Sequence, residues 1–255
     1  MQKKRLCLLY AFGLLLLAAL ALLSLCLGAV PVSLPELFAA LSGDRTGRAY
    51  AILRYVRLPR TVAAMLCGLS LASSGALIQT VLHNPLGSPT VLGMNAGSAL
   101  AVMLAAAFLP PLITATALPL AAFLGAFCTL LLVSALGKAA GGSKAALLPS
   151  GVAAGTFFTA CADALTVLFP DSVYSRTAFK IGSLSGVQFS MLLPAAGVIF
   201  LALLLTALLS RDISVLSLGD ETAESLGLPV EQVRIAALAL ASLLCGAGIS
   251  FAGLV

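Results

Sequence analysis

Residues 191–209 read MLLPAAGVIFLALLLTALL, an unbroken run without a charge. As a helix rising 1.5 Å per residue it spans about 28 Å, close to the ~30 Å hydrocarbon core of a bilayer. Thr206 is its only hydrogen-bonding side chain. A helix that is apolar all round has no face to offer water. In lipid, the backbone finds no outside partner, so a helix that satisfies its own N–H and C=O groups is forced.

Six further segments read in the same way: about 6–30, 58–82, 91–109, 112–136, 146–169 and 233–255. Pro110-Pro111 ends the third and starts the fourth. The whole chain is 61% hydrophobic and 9% charged, against about 25% charged in soluble domains. The expected fold is an all-α, polytopic transmembrane helix bundle, with residues 1–255 forming one transmembrane domain of seven helices. Lys3, Lys4 and Arg5 precede an apolar run to about Val30. That run exceeds the 7–15 apolar residues of a signal peptide, so it reads as an uncleaved first transmembrane helix.

The net charge is +5, and the basic residues sit at segment ends. That placement suits membrane flanks and lipid contact, with no nucleic-acid partner. With the N-terminus on the cytoplasmic side, Lys3, Lys4, Arg5, Lys138, Lys144, Arg211 and Arg234 lie inside. Arg45, Arg48, Arg54, Arg57, Arg60, Arg176 and Lys180 lie outside. The tie leaves orientation undecided by charge, although the cluster before the first helix favours an inside N-terminus. Five outer arginines in one loop point to a functional use.

Several chemistries are absent from the pattern. There is no GxxxxGK[ST] run, and Gly93-Met94-Asn95-Ala96-Gly97 lacks the lysine of a phosphate cradle. No Ser-His-Asp, HExxH or paired-carboxylate arrangement occurs, so no catalytic residues, metal ligands or cofactor are assigned. The six cysteines lie in apolar segments without CxxC spacing and read as small apolar residues.

Four places carry polar or small residues inside this apolar frame. In the second segment Ala64, Gly68, Ala72, Gly75 and Gln79 share one helical face, which serves either close helix packing or a pore lining. Asp163 is the one carboxylate inside an apolar segment; it is a proton relay, a substrate contact or an interhelical hydrogen-bonding group. His83-Asn84-Pro85-Leu86-Gly87-Ser88-Pro89-Thr90 forms a rigid non-helical connection. The loop 211–231 holds five of the nine acidic residues. Within it, Asp220 is placed to cap a short helix favoured by Glu221, Gly227 to stop it and Pro229 to open the next. Leu218, Ala223, Leu226 and Leu228 give that helix an apolar patch. Its acidity suits a protein partner better than an anionic lipid surface.

Arg57-Leu58-Pro59-Arg60, then Gly68, Gly75 and Gln79, then Asn84-Pro85-Leu86, then Gly93, Asn95 and Gly97, resemble the signature of the FecCD-type permeases. Leu216-Ser217-Leu218-Gly219, Ala223, Leu226-Gly227 and Phe251-Ala252-Gly253-Leu254-Val255 resemble the family's later motifs. These permeases are membrane subunits of bacterial ABC importers for iron–siderophore complexes, haem and cobalamin. The resemblance implies a bacterial inner-membrane location and a permease working as a homodimer or with a close homologue. It implies ten helices, with a Pro-His sequence and three more helices after a Gly-Leu-Val like this one, so the sequence is expected to lack its last quarter. It implies an ATP-binding cassette ATPase as partner, seated on Leu218, Gly219, Asp220, Glu221, Ala223, Leu226 and Gly227. It also implies an extracytoplasmic substrate-binding protein docked on Arg57 and Arg60, facing outward. Gln79, Asn95 and Asp163 are the candidates for the translocation path. Relatives usually carry a Trp where this chain has Phe179-Lys180-Ile181 before Gly182, which removes support for a substrate contact there. The competing readings are an ion-coupled secondary transporter working through Asp163, and a membrane scaffold that transports nothing.

Overall fold

The computed structural model describes residues 2–28, 30, 32–33, 35–36, 48–108, 111–139, 144–168 and 182–253. Arg45, Arg176, Lys180 and the Phe179–Ile181 departure lie outside the described residues. Among the described residues the regular elements are helices: α1 Gln2–Cys26, α2 Arg48–Ile52, a π-helical turn Leu53–Arg57, α3 Leu58–Leu82, α4 Met94–Phe108 and α5 Pro111–Ala139. They continue with α6 Lys144–Leu168, α7 Phe189–Leu208, α8 Ser210–Leu216, α9 Asp220–Ser225 and α10 Val230–Ala252. The all-helical membrane bundle expected from the apolar segments is therefore present. Among the described residues six helices are long and apolar enough to span a bilayer, and Met94–Ala105 is a shorter apolar helix.

Two boundaries differ from expectation for physical reasons. The second span is not preceded by a loop; it runs as one helical stretch, Ala49–Leu82. No Gly or Pro interrupts residues 48–58. Pro59 then has no N–H for the carbonyl of Tyr55, and its ring crowds that carbonyl. The turn just before it is wide, with the Leu58 N–H bonding to the Leu53 carbonyl five residues back. The third span starts at Met94 rather than Val91. Residues 89–93 form turns instead, with Leu92 N–H on Ser88 O (3.0 Å) and Met94 N–H on Pro89 O (2.9 Å).

The chain divides into two compact units: residues 1–64 with 185–188, and residues 65–184 with 189–255. In the first unit Val32 and Leu53 form a small core backed by Leu25, Cys26 and Ala49. Ser33 and Glu36 form a capping box: the Glu36 carboxylate accepts from the Ser33 N–H and hydroxyl, each at 2.8 Å. Those bonds, the backbone one foremost, hold the Glu36 carboxyl below its usual range.

In the second unit α10 is the central element, packed against α4, α5 and α7. Glycines set the spacing. A Cβ on Gly246 would come 2.6 Å from the Phe123 backbone nitrogen, and one on Gly97 would strike Thr129 of α5. Such close approach is how helices attract each other in lipid, where burial of apolar surface gives no drive. Serines add bonds between helices: Ser74 donates to the Ala241 carbonyl (2.7 Å) and Ser98 to the Ala122 carbonyl (2.8 Å).

Candidate functional site

The segment 209–229 folds tightly. After α7 the chain turns at Leu209 into α8, whose Ile213 and Leu216 are buried. Gly219 adopts φ 113°, ψ 153° and takes the N-cap position of α9. That conformation is open to glycine and strained for other residues. Asp220 was expected to be that cap; instead it is the first helical residue and pairs with Arg234 of α10 at 2.8 Å. Arg234 also reaches Glu231 at 3.1 Å. The end of α9 is a Schellman motif: Gly227 at φ 80°, its N–H on Glu224 O (2.9 Å), and Leu228 N–H on Ala223 O (3.0 Å).

This geometry sorts the seven residues assigned to a partner surface. Ala223 is fully buried and anchors the helix rather than facing outward, a correction to the patch read from sequence. Gly219 and Gly227 shape the backbone, and Asp220 ties α9 to α10. Glu221 and Glu224 are exposed. Leu218 and Leu226 are 64% and 65% exposed. A short, rigid element thus presents two leucines and two carboxylates.

The connection after α3 lies on the same side of the second unit. Helix α3 ends in its own Schellman motif, with His83 N–H on Thr80 O (3.3 Å) and Asn84 N–H on Gln79 O (3.2 Å). The left-handed position is filled by His83, at φ 50°. The Asn84 side chain accepts from the Leu86 N–H at 2.9 Å, making an Asx turn. Nε2–H of His83 donates to the Leu216 carbonyl at 2.8 Å, at the end of α8. Sequence reading gave His83 no role; its signal was a histidine standing where a helix needs a left-handed residue.

The Gly93–Gly97 stretch proves to be a packing device. Gly93 has φ 69°, and a Cβ there would meet the Gly151 carbonyl of α6 at 2.8 Å. Asn95, proposed for the translocation path, is buried: its amide donates to Thr90 Oγ1 (3.0 Å) and its carbonyl oxygen accepts from Cys245 (3.1 Å). Within this chain it therefore ties the turn before α4 to α10. Gln79 and Asp163 are exposed. Gly68 and Gly75 have nothing within 4 Å of a would-be Cβ, so the small face of α3 is open there.

At the other end of α3 the arginines divide. Arg60 and Arg54 are exposed, whereas Arg57 is only 8% exposed. Its Nη1 donates to the carbonyls of Leu25 (2.6 Å) and Cys26 (2.8 Å), and its Nη2 to that of Val30. The first two are last-turn carbonyls of α1, which have no acceptor role left inside the helix. Gly28 makes room, since a Cβ there would sit 2.9 Å from Nη2. Arg57 thus bonds within the chain and closes the end of α1, while Arg60 stays exposed.

A profile of the FecCD transport family matches residues 15–255. The hemin transport system permease protein HmuU of Yersinia pestis is 33% identical over 252 residues, covering 97% of this chain and 75% of the relative. The Fe(3+) dicitrate transport system permease protein FecD of Escherichia coli is 37% identical over 240 residues, covering 94% and 74%. The iron(3+)-hydroxamate import system permease protein FhuB of Bacillus subtilis is 36% identical over 246 residues, covering 94% and 63%. A solved structure described as a metal-chelate type ABC transporter in an inward-facing conformation superposes with TM-score 0.77 at 27% identity, covering 95% of this chain and 75% of that one. The match extends through the apolar helices, the HNPL turn and the acidic loop alike: the chain belongs to the FecCD transport family and is a multi-pass permease subunit of an ABC importer in the bacterial cytoplasmic membrane.

Proposed function

We propose that this permease passes an iron chelate, of the siderophore or haem kind, from an extracytoplasmic binding protein into the cytoplasm by alternating access. The cargo class rests on the relatives, whose names specify hemin, ferric hydroxamate and ferric dicitrate. ATP is hydrolysed on a separate cassette subunit. That subunit seats on α9 and its flanks, where Leu218 and Leu226 give apolar contact and Glu221 and Glu224 give charge. Binding-protein capture falls to Arg60, with Arg57 fixing the helix end behind it. A second permease copy completes the path, to which Gln79 and Asp163 contribute.

The observation that carries this reading is the pair of exposed leucines flanking a helix held from behind by Ala223 and the Asp220–Arg234 bridge. An exposed apolar pair on a rigid acidic element is what a docked partner covers. The test is to co-purify the chain with its ATPase and substitute Glu221→Lys together with Leu226→Asp. Loss of the ATPase from the complex is the expected result. Unchanged assembly and uptake would show that the ATPase seats elsewhere.

A further inference from the structure

We propose that His83 is a positioning residue that ties the ATPase-seating segment to helix α3, so that movement of that segment is carried into the membrane. The proposal rests on the seating assigned above to α9. Three observations meet at this residue. His83 occupies the left-handed position that ends α3, at φ 50°, and is the one non-glycine residue with positive φ among those described. Glycine would fill that position with less strain, yet a bulky side chain stands there. The imidazole has a specific target: its Nε2–H donates at 2.8 Å to the carbonyl of Leu216.

That carbonyl sits where α8 passes into the seating segment. Leu216 is fully buried, and its oxygen also accepts the N–H of Gly219, the residue that opens α9. At the other end of the contact, α3 is a helix of 25 residues whose only proline lies in its first turn. From Ala76 to Leu82 it has no Gly, Ser or Pro at which to kink. Gln79, one turn before His83, is exposed on it. A push on α9 therefore reaches Leu216 through the three residues 217–219, and reaches α3 through one side-chain hydrogen bond. A strut between two elements with different positions in different states is the physical form a coupling route takes.

The test reads motion instead of cargo. The permease is reconstituted with its ATPase, carrying either Gln79→Cys or Leu226→Cys, and peptide-resolved maleimide labelling is followed with and without ATP. With His83 present, ATP is expected to change the labelling rate at both positions. His83→Gly keeps the left-handed backbone and removes the strut. It is expected to keep the response at Leu226→Cys and to abolish the response at Gln79→Cys. His83→Asn, which tolerates the same backbone but is too short to reach Leu216, is expected to behave like His83→Gly. His83→Gln, which can place an amide N–H near the same carbonyl, is expected to restore the response. An ATP response at Gln79→Cys that persists in both His83→Gly and His83→Asn overturns the proposal. Absence of any response at Leu226→Cys with His83 in place overturns the seating assignment instead.

Discussion

The first helix and the last described helix are both apolar, yet their surroundings are opposite. The Lys4–Cys26 stretch of α1 has a mean hydropathy of 2.7, and none of it is buried within the chain. Helix α10 has a lower mean hydropathy, 2.1, and 78% of its spanning window is buried. The more hydrophobic helix is the one left open. In water that order would be a contradiction; in a bilayer it follows, because lipid is as apolar as leucine. What brings a helix inside is the ability to come close. Helix α10 carries Ala241, Gly246, Ala247 and Gly248 along its buried length, while α1 presents Leu8, Leu9, Leu14 and Leu15 outward.

The comparison can be broken in three places. The largest effect is expected at Gly246→Val, where the added side chain meets backbone atoms of Phe123 and Ala122 that cannot swing away. Overpacking of this kind costs about 3 kcal/mol, to be read as a lowered unfolding midpoint of the detergent-purified protein. A cost below that of an exposed leucine would refute the view that close approach holds α10.

Arg57→Ala comes next. It removes the guanidinium bonds to the carbonyls of Leu25, Cys26 and Val30, of which Cys26 keeps the Val32 N–H; part-buried bonds to a charged group cost about 1 kcal/mol or more together when lost. Faster modification of Cys26 by a membrane-impermeant maleimide would report the opened end of α1. Arg57→Lys should recover part of the loss, since an ammonium reaches fewer of the three acceptors than a guanidinium fork. If binding-protein capture weakened in Arg57→Ala with Cys26 labelling unchanged, the residue would be a docking group after all.

The smallest effect is expected at Leu15→Ala. Leu15 is exposed, so its truncation leaves no cavity, and surface changes stay within about 0.5 kcal/mol. An unfolding midpoint matching that of the unmodified protein is the expected result, and a clear drop would refute the small effect expected of an exposed leucine.

The helices were legible because hydropathy reports the solvent directly. Their packing was not, because hydropathy scores Leu15 and Leu244 alike although one is exposed and the other fully buried. The loop motifs were legible through resemblance, and Gly227 through helix-ending chemistry. The ties that give the loop its shape were hidden by separation along the chain: His83 and Leu216 are 133 residues apart. The partners of Arg57 were hidden in the same way, since the carbonyls it bonds lie 27 to 32 residues earlier.

The π turn ahead of Pro59 bears on how this segment tolerates changes in length. Removing one residue from a regular membrane helix rotates everything on one side of the deletion by about 100° and moves each buried face away from its neighbours. A π turn already holds one residue more than the α-helix needs. A deletion between Leu53 and Arg57 could be absorbed by tightening that turn, leaving the faces of α2 and α3 in their original directions. What would be lost is the room that Pro59 uses. Within the Ala49–Leu82 span, this is the point where the chain can shorten by one residue without losing its register.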